Sequence, residues 1–92
     1  MTLDRLLSSI GMRTFVKYYY NFKNQSRNYC ITNFEEDFTD KAKASKTGHA
    51  QTIFKNSLEE QALLKICKST RVDELSKIKA KQILKNDFNY LI

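Results

Sequence analysis

Proline is absent from all 92 residues, and glycine occurs only at Gly11 and Gly48. Hairpins and sandwich corners draw heavily on these two residue types, so a turn-rich β fold is excluded. Helices must then carry the architecture. The length fits one domain with a small core. Hydrophobic residues make up 41% of the chain and aromatic ones 12%, too apolar a mixture for a disordered basic tail. The expected fold is all-α, a single compact domain of five or six short helices over residues 1–92.

Apolar spacing places those helices. Leu3, Leu6, Leu7 and Ile10 recur at i, i+3, i+4, i+7, with Thr2 as an N-cap and Gly11 as a left-handed stop. A second helix is expected from about Met12 to Lys23, with Phe15, Tyr18, Tyr19 and Phe22 inward and Arg13, Lys17 and Asn21 outward. Ser26 caps a third, Arg27 to about Asp37, ended by acids that oppose the helix dipole. Thr39 caps a fourth, reaching Lys55, with Ala42, His49, Ala50, Ile53 and Phe54 inward. Ser57-Leu58-Glu59-Glu60 reads as a capping box that opens a fifth helix, ending near Lys68. A sixth runs from about Val72 to Asn86, with Val72, Leu75, Ile83 and Leu84 inward. The tail Phe88, Tyr90, Leu91 and Ile92 is apolar; it either docks on the core or forms the seam of a homodimer.

Catalytic chemistry finds little support. His49 is the only histidine, and spacing assembles no nucleophile–base–orienter set around it. Glu35, Glu36, Asp37 and Asp40 lack the alternation and central glycine of a calcium loop. There is no phosphate-cradling glycine loop and no zinc-ligand spacing. No enzymatic activity and no cofactor is expected. Cys30 and Cys67 are expected to be reduced thiols in the core. No apolar run reaches membrane-helix length, and the first residues lack a signal-peptide core. A cytoplasmic location with no membrane partner is the expectation.

Charge is the remaining signal. Sixteen Lys and Arg oppose ten Asp and Glu, a net +6. The excess is localised: Glu35, Glu36, Asp37 and Asp40 make an acidic knot, and Lys41, Lys43, Lys46 and Lys55 follow without an acid among them. Such a stretch suits DNA or an acidic protein surface as partner.

Residues 26–55 read as helix, short turn, helix, and in this pattern the chain resembles helix-turn-helix DNA-binding domains. The resemblance implies that the helix from Asp40 to Lys55 enters the major groove. Its residue types suit that role. Lys41 and Lys55 would reach phosphates, while Ser45, Gln51 and Thr52 would face base edges. Gly48 would permit close approach, and Arg13 and Lys17 would add a second phosphate-facing stripe. The outward face of the Asp40–Lys55 helix itself carries no arginine. A second interpretation takes Ala44 and Gly48 as a small-residue ridge for another helix. The chain would then be a protein-interaction module, an adaptor or an inhibitor of a larger complex.

Overall fold

The computed structural model describes residues 1–91, so the expectation for Ile92 lies outside the described residues. The chain is all-α, as its composition requires. Among the described residues seven helices follow in order: α1 Leu3–Ile10, α2 Met12–Lys17, α3 Tyr19–Asn24, α4 Arg27–Thr32, α5 Asp40–Lys55, α6 Glu59–Lys68 and α7 Glu74–Phe88. The radius of gyration is 12.4 Å, matching the roughly 12 Å of a compact chain this long.

Helix α5 is the axis of the fold. Helices α1, α3 and α4 pack around it, and α6 adjoins its C-terminal end. Its inward side is Thr47, Ala50 and Ile53, all fully buried. Every helix contributes to one core, from Leu6, Leu7 and Ile10 of α1 to Ala80, Ile83 and Leu84 of α7. Aromatic rings join the helices: Tyr19 stands edge-on to Phe54 at 5.1 Å, and Phe15 stacks on Phe54 at 5.8 Å. Lys46 reaches across to α1, donating to the Ile10 carbonyl at 2.9 Å and so satisfying an orphan of that helix end. Both cysteines are free thiols; Cys30 is buried and Cys67 half-buried.

Several boundaries follow the sequence reading. Thr2, Ser26 and Thr39 cap their helices through side-chain oxygens. Gly11 ends α1 with φ +90°, a conformation that side chains disfavour.

Other boundaries are corrected. The expected Met12–Lys23 helix bends at Tyr18, which divides it into α2 and α3. The Lys17 carbonyl exposed at the bend is taken by the Lys79 ammonium at 2.9 Å. The third helix stops at Thr32, not Asp37. There the Thr32 hydroxyl donates to the Asn28 carbonyl at 2.9 Å, and the Asn33 amide donates to that of Tyr29 at 2.7 Å. Such local bonds offer the backbone an alternative to further turns.

The capping box does not form. Ser57 has φ +57° and belongs to the end of α5. The Leu58 N–H donates to the Ile53 carbonyl at 2.9 Å, and the Ser57 N–H to that of Phe54 at 3.1 Å. These two bonds define a Schellman ending, with serine in the seat usually held by glycine. Glu60 instead accepts a hydrogen bond from the Tyr90 hydroxyl at 2.5 Å.

The last helix begins two residues later than expected, because Asp73 caps it by accepting from the Ser76 N–H at 3.1 Å. Its phase also differs. Ser76, Ala80, Ile83 and Leu84 are buried, whereas Leu75 is 79% exposed.

Candidate nucleic-acid interface

The outward stripe of α5 is built by helical geometry. At 100° per residue, Lys41, Ser45, Gly48, Thr52 and Lys55 fall within one face, opposite Ala50 and Ile53. Lys41, Ser45 and Lys55 are exposed; Gly48, Gln51 and Thr52 are half-buried. The helix is 16 residues long, so the stripe spans about 22 Å.

Gly48 marks its centre. The Arg27 guanidinium, from α4, lies directly over it: a Cβ at Gly48 would stand 2.9 Å from Nη1. The close approach that the glycine permits is therefore made by an arginine of the same chain. This supplies the guanidinium that the stripe lacks in sequence, 21 positions upstream. The only signal for it in the sequence is Gly48 itself, a costly residue in a helix interior.

Two other side chains of the stripe are tied down. The Thr52 hydroxyl donates to the Gly48 carbonyl at 2.9 Å, and the Gln51 amide reaches the Gln25 carbonyl at 3.5 Å. The second links α5 to the connection between α3 and α4. The Ala44–Gly48 ridge is thus bordered by α4, in keeping with a packing role for small residues there.

Arg13 and Lys17 are placed elsewhere. Both belong to α2, which packs on α7. Arg13 is exposed beside Asp73 and Ser76 at the start of α7. Lys17 is occupied: its ammonium donates to Glu36 at 2.9 Å and lies 3.4 Å from Glu35. The hydrogen bond to Glu36 raises its pKa against the opposing effect of burial. The structure does not bring these two cations onto the α5 stripe.

That ion pair also disposes of part of the acidic knot. Residues 33–39 form a seven-residue connection, longer than the three-to-four-residue turn of a helix-turn-helix. Phe34 anchors it edge-on against Tyr18 at 4.9 Å. The Tyr18 hydroxyl donates to Glu36 at 2.6 Å and accepts from the Glu35 N–H at 2.9 Å. Burial pushes the Glu36 carboxyl up, but the Tyr18 and Lys17 hydrogen bonds outweigh it and hold the group below the usual carboxylate range.

His49 sits at the other edge of α5. Its Nδ1 is 2.7 Å from Ser9 Oγ, which links α5 to α1. Among the described residues the His49 ring makes no other side-chain hydrogen bond. Among the described residues no three metal-ligating side chains cluster, and no helix is long and apolar enough to cross a membrane. In comparisons with known proteins, no family model, no curated protein and no solved structure matches the chain.

Proposed function

We propose that the protein binds nucleic acid, duplex DNA in particular, by laying the α5 stripe along the phosphate backbone. One observation carries this reading: the Arg27 guanidinium lies over Gly48, midway along the exposed stripe that Lys41 and Lys55 bracket. Three cations spread over about 22 Å suit an extended row of phosphates better than a single protein carboxylate. No acid lies between Lys41 and Lys55, and Glu36 upstream is neutralised by Lys17. Ser45 stands exposed within the same stretch, with a hydroxyl able to bond base edges. Phosphate contact sets affinity in this reading, and base contact adds modest preference.

Fluorescence anisotropy with a random duplex across a salt series tests it, with single-stranded DNA and RNA in parallel. Binding should weaken with a log–log slope of about −3, one increment for each neutralised phosphate. The triple substitution Arg27→Glu, Lys41→Glu, Lys55→Glu should abolish retention while leaving the helical circular dichroism unchanged. Arg13→Glu should leave affinity almost as it was. Absence of any binding at about 50 mM salt, where phosphate contacts are strong, would sink the reading.

A further inference from the structure

The outer face of α7 is unusual in a different way. Leu75 and Ile78 lie one turn apart on the side opposite the buried Ser76, Ala80, Ile83 and Leu84, and they are 79% and 47% exposed. Gln82, Lys81 and Lys85 continue this side and are exposed. Ile78, Lys81, Gln82 and Lys85 line a shallow groove of about 260 Å³. A second groove, of about 170 Å³ between α2 and α7, has Leu75 and Val16 in its wall. The face therefore offers two apolar anchors and then two lysines along one helix. The sequence pattern alone assigns Leu75 to the core, so its exposure is a finding of the fold.

The charge on the face selects the occupant. Lys81 and Lys85 have no acidic partner among the described residues. Glu74, the acid nearest Leu75 in sequence, already faces Lys77 at 3.9 Å. A second copy of this chain carries the same net +6 and so brings no surplus of acid to these lysines. A phosphate backbone would satisfy the lysines but leave Leu75 and Ile78 against charge. A helix with apolar residues on one side and carboxylates at its border satisfies both halves of the face.

We propose that α7 docks an acidic amphipathic helix of another protein, with its apolar side on Leu75 and Ile78 and its carboxylates on Lys81 and Lys85. This surface is separate from the α5 stripe and does not depend on it.

The test is selection of a displayed library of helical peptides against the full chain, followed by affinity measurement of the enriched peptides. The expected binders carry net negative charge and apolar residues at i, i+3 or i+4, and i+7. Leu75→Ser with Ile78→Ser should weaken them at least about tenfold, as loss of anchor residues does. Lys81→Glu with Lys85→Glu should do the same through charge alone, which separates docking from any unfolding caused by the first pair. The proposal is overturned if no peptide is enriched, if the enriched peptides lack an acidic bias, or if either pair leaves affinity intact. It is equally overturned if the Leu75 and Ile78 pair instead abolishes self-association of the chain in sedimentation. A fall in duplex-DNA affinity on Lys81 and Lys85 reversal, with peptide binding unchanged, would assign the face to nucleic acid and overturn it too.

Discussion

Ser57 shows how much a single backbone conformation decides. A serine three positions before a glutamate is a legible helix start, yet this serine is held at φ +57° by the ending of α5. Once its backbone is left-handed, its side chain is no longer placed to cap α6, and the structure shows no side-chain cap there. Left-handed conformation costs an L-residue about 1–2 kcal/mol, and glycine avoids that cost at the expense of a more flexible unfolded chain. Ser57→Gly is therefore expected to stabilise the fold by about 0.5–1 kcal/mol in urea unfolding. Ser57→Ala is expected to change it little. An N-cap would give the opposite pattern, with alanine costing about 1 kcal/mol. Measuring both variants separates the two roles of one hydroxyl.

At the scale of the element, α5 was the most legible part of the chain, with both ends read from Thr39, Asp40 and Lys55. Its cap is local chemistry, and local chemistry is written in neighbouring residues. What lies over Gly48 is not local, because Arg27 arrives from another helix across a loop. Leu75 was misplaced for a related reason. It satisfies helical spacing with Val72, but Asp73 caps α7, and the helix turns small residues, Ser76 and Ala80, into the buried side. Apolar periodicity weighs leucine above serine and so points to the wrong side. The bend at Tyr18 was hidden because its aromatic spacing suits a straight helix; the hydroxyl contact with Glu36 is tertiary. Gly48→Ala tests the element directly. Alanine gains up to about 1 kcal/mol of helix propensity, and its Cβ displaces only the far end of a flexible side chain. Thermal unfolding should therefore move upward; a fall would mean that Arg27 is held in place more firmly than its own contacts indicate.

For the molecule as a whole, sixteen cations and ten acids do not act as one cloud of charge. Four lysines are spent in ion pairs with Glu35, Glu36, Asp87, Asp4 and Glu74. Two more, Lys46 and Lys79, serve main-chain carbonyls. Among the described residues Arg27, Lys41 and Lys55 on the α5 side and Lys81 and Lys85 on α7 enter no ion pair, and they belong to two different faces of the molecule. The pinning of loop 33–39 should also govern acid stability. Glu36 titrates lower in the folded chain than the usual glutamate value of about 4.3 in an unfolded one. Its contribution is complete above that unfolded value and is lost as pH falls through the lower folded value. The stability difference between the wild type and Glu36→Gln should therefore be open near neutral pH and close as pH drops below about 4. A difference that stays constant across that range would show that the carboxylate charge is immaterial to the loop. The bend between α2 and α3 has a consequence of another kind. Its orphaned carbonyl is answered by an amine, not by an amide of the ladder, so the missing rung is supplied by a primary amine that acylating reagents can modify. Acetylation of Lys79 would remove the charge of that donor while leaving every backbone bond intact, and so would weaken one tie between α2 and α7 by chemistry confined to a single side chain.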